Sequence, residues 1–266
     1  ATQAAVQAIQ AGDLSKIVLA HPLDIVAATL LNPIDALERL RQRYPDCYYF
    51  STSNGRGSYF LGASPERLVS LRRDPSRQAG QLIADALAGS TQRGRDAQED
   101  AAFAQQLLNS EKDCREHQAV SHYLWEQLQR LGLQPCRAPR QVRQLSNIQH
   151  LWTPITAAVP AQLQPLEVVA ALHPTPAVAG VPTAAACEQI RHYEAFDRGL
   201  YAGPLGWLDA QGNSEFLVGI RSALLSGDRA RLYAGAGIVA GSDPEKEVAE
   251  VQLKLQAMLA ALGVCG

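Results

Sequence analysis

The chain has 266 residues, of which 47% are hydrophobic and 19% charged, and its formal net charge is −2. This length and composition suffice for a large buried core. The near-neutral charge gives no indication of binding to nucleic acid or to an acidic membrane surface. No apolar run approaches the length of a membrane span, and the N-terminus lacks the basic and apolar regions of a secretory signal. Because the sequence does not begin with Met, we expect a processed chain or part of a longer one.

The cysteines are scattered and odd in number, and no two have the spacing of a CxxC motif. This pattern is typical of reduced thiols rather than of a disulfide framework. We therefore expect a cytoplasmic protein, or a protein of a reducing organelle stroma if the chain is processed. No metal or catalytic role is predicted for Cys47, Cys114, Cys136, Cys187 or Cys265.

The first part of the chain is predicted to be rich in strands. Short apolar runs separated by Gly, Pro, Asn and Ser indicate strands joined by turns. The predicted elements are a helix over 3–11, a strand over 15–20, a helix over 24–43 interrupted at Asn32-Pro33, a hairpin of 48–52 with 58–63, strands over 67–71 and 81–87, and a polar loop over 74–80.

One long helix is predicted over 97–131. Asp96 and Glu99 have the spacing of a capping box, and apolar residues recur at helical spacing as far as Leu131. Asp113 and Glu116 are three positions apart and share a face of this helix. Taken alone, such a pair is more typical of a solvated surface than of a metal site.

The following elements lead into a Gly-rich C-terminal part. They are a strand over 144–150 that continues over 152–158, a helix over 166–172, a Pro-rich loop over 173–180 and a helix over 183–196. Many strands with few helices predict a large α+β sandwich with mostly antiparallel sheets.

Residues 199–254 are predicted to form strands followed by one helix, and they carry the first indication of function. A strand over 216–221 ends in Arg221, and a buried arginine costs free energy unless it has an anionic partner. Gly235 and Gly237 let the backbone approach a ligand closely and offer N–H groups to it.

The last helix is predicted to begin after Ser242 as N-cap, with Glu245 closing a capping box. Glu247, Glu250 and Lys254 share one of its faces. The combination of arginine, backbone amides, carboxylates and lysine suits a small anionic ligand together with a divalent cation.

Several segments, in order along nearly the whole chain, resemble the chorismate-utilising enzymes. This family includes isochorismate synthases, salicylate synthases and the large subunits of anthranilate and aminodeoxychorismate synthases. The segments are SKIVLA (15–20), FLGASPERL (60–68), ALAGSTQRG (86–94), SEKDCREH (110–117), QHL (149–151), LHPTPAVAG (172–180), YAGPLGW (201–207), SEFLVGIRSA (214–223), YAGAGIVAGSDPEKE (233–247) and the helix to Lys254.

The resemblance implies two stacked antiparallel sheets with helices outside and Mg²⁺-dependent chemistry on chorismate. We expect residues 1–266 to form a single chorismate-binding catalytic domain. Longer members carry N-terminal residues that are missing here.

Three positions bear on the nucleophile. Lys16 stands where members that add water carry lysine, whereas members that add ammonia usually carry glutamine there. Ala88 precedes Gly89 where aminodeoxychorismate synthases carry a nucleophilic lysine, and Ala177 stands where ammonia users tend to have Thr or Ser. The resemblance therefore implies that the chain converts chorismate into isochorismate by adding water at C2 and expelling the C4 hydroxyl. It implies no obligatory glutaminase subunit, and we expect a monomer.

Specific roles follow from the resemblance. Lys16 is the expected general base, which must be neutral part of the time, and Glu66 is the expected general acid, with a pKa raised by the anionic substrate. Glu116 and Glu250 are the expected Mg²⁺ ligands. Asp113 and Glu247 are expected to support the metal through water molecules.

The remaining predicted residues contact the substrate. Arg221 is expected to bind the enolpyruvyl carboxylate in a two-pronged contact, helped by Tyr201 and by the amides near Gly235 and Gly237. Lys254 and Ser90 are assigned to the ring carboxylate or its waters. His150 is placed near the reacting face, and the ring pocket is assigned to Ala177, Val178 and Ile220.

Three other functions remain open at this point. A salicylate synthase would form isochorismate and then eliminate pyruvate with the same residues. An anthranilate-type subunit would need ammonia from a glutaminase. A degenerate chorismate-binding module would bind the ligand without turnover.

Overall fold

Two antiparallel sheets form the centre of the fold in the computed structural model, which describes residues 2–74, 76 and 79–264. The strands, numbered along the chain, are β1 (Lys16–Val26), β2 (Tyr48–Ser53), β3 (Ser58–Ser64), β4 (Arg67–Asp74), β5 (Ala79–Gln92), β6 (Cys136–Arg137), β7 (Gln141–Gln144), β8 (Ile148–Pro160), β9 (Gly180–Val181), β10 (Pro204–Leu208), β11 (Ser214–Val218), β12 (Ser222–Ser226) and β13 (Arg229–Val239). One sheet has the order β2-β3-β12-β13-β1-β9. The other has the order β10-β11-β4-β5-β8-β6, with β7 also paired to β8.

Helices pack against both sheets and supply the rest of the core. They are α1 (Thr2–Ala11), α2 (Pro33–Arg43), α3 (Ala97–Asn109), α4 (Glu111–Arg130), α5 (Pro165–Leu172), α6 (Thr183–Tyr193) and α7 (Pro244–Leu262). The largest apolar cluster joins both sheets to α4, with Phe60 and Leu82 from the two sheets and Leu124 from the helix. A second cluster lies under α2 and α7, and a third under α1 and α6. The predicted α+β fold of two mostly antiparallel sheets is confirmed.

The predicted helix over 97–131 is two helices. Ser110 has an extended backbone, with φ −71° and ψ 112°, and it both ends α3 and begins α4. Its hydroxyl accepts a hydrogen bond from the Asp113 amide at 3.3 Å, so the new helix has its own cap. The predicted capping box at the start of α3 is half correct. Asp96 is the N-cap, but the Glu99 carboxylate accepts from the Arg95 amide instead.

Two other predicted helix boundaries were wrong. The helix predicted from residue 24 begins at Pro33, because β1 stays paired with β13 as far as Val26. Asp243, not Ser242, is the N-cap of α7, and it accepts hydrogen bonds from the amides of Glu245 and Lys246. Pro244 at the first helical position fixes this start.

The predicted strand over 216–221 ends at Val218. The chain then leaves one sheet and enters the other at Ser222, the first residue of β12. Arg221 makes this crossing with a left-handed φ of 51°, which costs a non-glycine residue about 1–2 kcal/mol.

Other predictions concern the edges of the described structure. Residues 75, 77 and 78 of the predicted loop over 74–80 lie outside the described residues, as does Cys265, while the four other cysteines are free. None of the helices in the described ranges is long and apolar enough to cross a membrane.

Candidate functional site

A pocket lies where the ends of both sheets meet α4 and α7. It brings together residues from distant parts of the sequence, and most of the predicted site residues line it. They are Glu66, Ser90, Glu116, His150, Ala177, Val178, Tyr201, Ile220, Arg221, Gly235, Gly237, Glu250 and Lys254. The strand order places these residues together, since β1, β13 and β12 are neighbours in one sheet and β4, β5 and β8 in the other.

Lys16 lies directly behind this pocket. Its side chain is 1% exposed, and its Nζ is 3.0 Å from Oε1 of Glu116, which does line the pocket. The contact is an ion pair without the alignment of a hydrogen bond. Lys16 is therefore not a solvent-exposed lysine at a strand edge. One carboxylate separates the lysine from the cavity.

Arg221 is a buried cation that faces the pocket. It is 7% exposed, and within the described ranges no carboxylate oxygen lies within 4.0 Å of its guanidinium. Its polar neighbour is His150, whose Nε2 is 3.3 Å from Arg221 Nη2. Burial lowers the pKa of Arg221, yet arginine stays charged in proteins. A buried positive charge without an anionic partner is a site for an anionic ligand.

His150 links Arg221 to an irregular point of β5. Its Nδ1 is 3.3 Å from the carbonyl oxygen of Gly89, where the pairing of β5 with β8 shifts register. Burial, followed by the charges of Arg221 and Lys254, lowers the pKa of His150 to about 3. The imidazole is therefore neutral near pH 7, and the contacts assign the proton to Nδ1, which donates to Gly89, so that Nε2 accepts from Arg221.

Glu66 is held on the turn between β3 and β4 and is 4% exposed. Burial raises the pKa of Glu66 to about 8, although the charges of Lys16, Lys254 and Arg221 oppose the shift. Its carboxyl group is therefore mostly protonated near pH 7. Arg67, the alternative partner for Glu66, instead forms an ion pair with Asp85 at 3.1 Å. The geometry leaves Glu66 available as a proton donor.

The stability of the folded chain is expected to fall through Glu66 as the pH rises from about 4.5 to about 8. In this range the unfolded chain loses the proton while the folded chain keeps it, so the folded state binds more protons and loses stability with rising pH. Glu66→Gln is neutral at every pH and should lose this contribution. Denaturant titrations near pH 5 and near pH 8.5 measure it, with the exposed Glu188→Gln as control. Parallel pH profiles for wild type and Glu66→Gln would contradict the assignment.

Glu116 and Glu250 are the carboxylates of the pocket that suit a metal ion. The Glu250 carboxylate is 2.5 Å from Lys254 Nζ and accepts a hydrogen bond from Ser90 Oγ at 2.9 Å. Burial raises the pKa of Glu250, but the charge and hydrogen bond of Lys254 outweigh burial and lower it to about 2. A Cβ at Gly237 would lie 2.1 Å from Oε1 of Glu116. Glycine at this position therefore leaves room for the Glu116 carboxylate.

Asp113 and Glu247 do not line the pocket. Asp113 is hydrogen-bonded to the Ser110 hydroxyl, and Glu247 forms an ion pair with Lys112 at 2.5 Å. No three His, Cys, Asp or Glu side chains among the described residues form a group that could hold a metal ion. Mg²⁺ usually takes one or two protein carboxylates together with waters and a substrate anion. Glu116 and Glu250 both line the pocket and match this number of carboxylates, but each is paired with a lysine. Their role as Mg²⁺ ligands and the water-mediated roles of Asp113 and Glu247 stay predictions.

Sequence reasoning missed one charged residue of the pocket wall, Arg198. Its guanidinium pairs with Glu194, four positions earlier, at 2.5 Å. Neither residue lies in a helix, since α6 ends at Tyr193, so the helical spacing rule gave no signal for this pair. Nothing in the local sequence showed that this pair would be buried beside the pocket.

Known proteins with the same architecture bind chorismate. Residues 1–263 match the family described as chorismate binding enzyme. The salicylate biosynthesis isochorismate synthase of Pseudomonas aeruginosa is 44% identical over 272 residues, which cover 98% of this chain and 54% of that protein. This chain spans about half the length of the curated relatives it matches.

Solved structures agree with this relationship. The crystal structure of DhbC from Bacillus anthracis superposes with a TM-score of 0.92 at 36% identity, covering 99% of this chain and 70% of that chain. Anthranilate synthase component I from Streptococcus pneumoniae gives a TM-score of 0.81 at 27% identity, covering 97% of this chain and 56% of that chain. The chain therefore belongs to the family of chorismate binding enzymes.

Proposed function

We propose that this chain is the catalytic domain of a Mg²⁺-dependent isochorismate synthase, an isomerase that adds water at C2 of chorismate and expels the C4 hydroxyl. The observation that carries the proposal is the placement of two buried titratable side chains at one pocket, Glu66 in its lining and Lys16 directly behind it. A general acid and a general base are what this exchange of hydroxyl groups requires. The 44% identical relative named as an isochorismate synthase supports the same reaction.

Arg221 binds the enolpyruvyl carboxylate, because it is a buried cation without a carboxylate partner in the described structure. Tyr201 stacks on Tyr233 with ring centroids 5.1 Å apart and borders the same end of the pocket. β12 pairs with β13 only as far as Tyr233. After Tyr233, no other strand in the described ranges pairs with this edge of β13. The backbone at Gly235 and Gly237 is consequently open to the ligand. The apolar side chains of Ala177, Val178 and Ile220 border the ring.

Glu116 and Glu250 would hold the Mg²⁺ ion, which would supply positive charge for the ring carboxylate of chorismate. Lys254 and Ser90 already contact Glu250, and Lys254 also donates to the Gly235 carbonyl oxygen at 2.8 Å. These contacts fix the orientation of the Glu250 carboxylate. Asp113 and Glu247, near the start of their helices, would support the metal through water molecules.

The two hydroxyl groups exchange on the ring. In its neutral form, Lys16 accepts a proton from water as the water oxygen bonds to C2, and the two ring double bonds shift. The C4–O bond breaks as Glu66 donates its proton to the departing oxygen, so that water leaves. One proton is taken up and one is given, and no net charge is transferred to the product. Burial of Glu66 keeps the proton available near neutral pH.

Incubation of the purified chain with chorismate and Mg²⁺, with and without ammonium, tests this function. We expect isochorismate as the product without ammonium, identified by chromatography and mass. Its formation should stop when EDTA is added. The same result would support a chain that needs no glutaminase subunit, and light scattering of the sample tests the predicted monomer. Salicylate with pyruvate would indicate a salicylate synthase instead. Anthranilate formed only with ammonium would contradict the role of Lys16, and bound chorismate without product would indicate a binding module.

A further inference from the structure

Arg198 belongs to the pocket wall but has no role in the reaction proposed above. Its guanidinium contacts three separate segments of the chain. Nε donates to Oε2 of Glu194 at 2.8 Å, Nη1 donates to the Val178 carbonyl oxygen at 2.7 Å, and Nη2 donates to the Val18 carbonyl oxygen at 2.9 Å. The planar fork of arginine makes this set of contacts possible, and a lysine could not reproduce it.

Glu194 completes the same connection. It is 9% exposed, and its Oε1 accepts from the Ala20 amide at 2.7 Å as well as from Arg198. Both carboxylate oxygens are therefore occupied. Glu194 is buried and the Arg198 side chain is 18% exposed, and their hydrogen bonds satisfy both charges, as a largely buried pair requires.

The Arg198 and Glu194 side chains form hydrogen bonds with the backbone of β1 where the neighbouring strand β9 ends. The short β9 covers β1 only at Lys16 and Ile17, and one further backbone bond joins the Val18 amide to the Ala179 carbonyl oxygen. The next polar groups on this edge are the Val18 carbonyl and the Ala20 amide. Arg198 and Glu194 satisfy these two groups with side chains, so the edge has no unpaired backbone there.

The segments that the pair connects carry site residues. β1 begins with Lys16, the proposed base, and Val178 is one of the proposed ring contacts. Arg198 also lies over the ring of Tyr201, 5.8 Å from its centroid. Arg198, Val178 and Tyr201 line both this pocket and a second, neighbouring cavity, and so lie between the two. A change in Arg198 would therefore shift one wall of the pocket relative to the strand that carries the base.

We propose that Arg198 and Glu194 are positioning residues, which hold the 177–180 segment and Tyr201 in place relative to β1 and so fix the position of Lys16 relative to the ring pocket. This inference rests on the proposed function. A displacement of about 1 Å in a reacting group can lower turnover on the order of a hundredfold. The pair thus acts on the rate through Lys16, although it takes no part in proton transfer.

Arg198→Lys tests the inference, because it keeps the charge and removes the fork. We expect kcat to fall by roughly one to two orders of magnitude, with a smaller change in KM, since the anion-binding Arg221 is untouched. Glu194→Gln should lower kcat in the same direction, because it keeps an acceptor for Ala20 but loses the charge. Arg73→Lys is the matched control, since Arg73 also donates to two backbone carbonyls, those of Pro160 and Leu163, outside the pocket lining.

Hydrogen exchange measured by mass spectrometry separates this inference from the proposed function. Peptides covering 16–20 and 177–181 should exchange faster in Arg198→Lys than in wild type, at an unchanged melting temperature, whatever reaction the chain catalyses. Wild-type turnover is measured first. If the wild type has no turnover, the proposed function is rejected, and the exchange rates still test whether the Arg198–Glu194 pair holds the two segments. Unchanged exchange in both segments would overturn the inference. A lower melting temperature with wild-type kcat would show a purely structural role and would also overturn it.

Discussion

Replacing Glu66 with glutamine is expected to lower isochorismate formation by about 10²–10⁴-fold. Glutamine has nearly the same shape and can still donate a hydrogen bond, but it cannot give a proton to the departing C4 oxygen. Arg221 and the carboxylates of Glu116 and Glu250 are unchanged, so chorismate should bind with nearly wild-type affinity. Steady-state kinetics and a binding titration on the same preparation measure the two effects separately.

The pH dependence of the wild type provides a second measurement of this role. Because burial raises the pKa of Glu66 to about 8, the acid form predominates below that pH and is lost above it. The rate should therefore decline as the pH rises through about 8, apart from the effects of other groups, and the residual rate of Glu66→Gln should lack this decline. The exposed Glu188→Gln should behave like wild type. Glu66→Gln turnover within threefold of wild type would show that another group is the acid.

The sequence was informative wherever function depends on residue type at one position. Arg221 was predicted as a buried cation that needs an anionic partner. The structure shows it buried beside the pocket, and no carboxylate of the described residues forms an ion pair with it. The strands and turns could also be predicted, because alternating polarity and Gly-rich turns are local signals. The prediction failed where tertiary contacts decide. The crossing between sheets at residues 219–221 interrupts a run that reads locally as one strand.

Charged partners were the least predictable part of the site. Spacing on a helix placed Asp113 with Glu116 and Glu247 with Glu250, yet only Glu116 and Glu250 line the pocket. Residues three positions apart differ by about one sixth of a turn around the axis and by about one turn along it. That difference is enough for Lys112 to pair with Glu247 on one side of the pocket. The burial of the Arg198–Glu194 pair could not be predicted for another reason, since its partners Val18 and Ala20 lie far away in the sequence.

Lys16→Ala is expected to lower turnover by about 10²–10⁴-fold, because it removes the proposed base. The substitution also leaves Glu116 without its ion-pair partner, which is 3.0 Å away in the wild type. An unpaired and largely buried carboxylate is destabilising, so a lower melting temperature is expected as well. Lys16→Met retains most of the side-chain volume and limits the additional loss from a cavity.

Ligand binding distinguishes the loss of a base from the loss of the site. A Glu116 carboxylate released from Lys16 is free to bind a divalent cation, so Mn²⁺ affinity measured by electron paramagnetic resonance should be equal to or higher than in wild type. Chorismate binding in the presence of Mg²⁺ should persist, since Arg221 is unchanged. Lys246→Ala, which removes an exposed lysine of α7, is the control and should retain full turnover. Substantial turnover by a folded Lys16→Met chain would reject Lys16 as the base, while weaker Mn²⁺ binding would show that the lysine organises the carboxylates rather than competing with the metal.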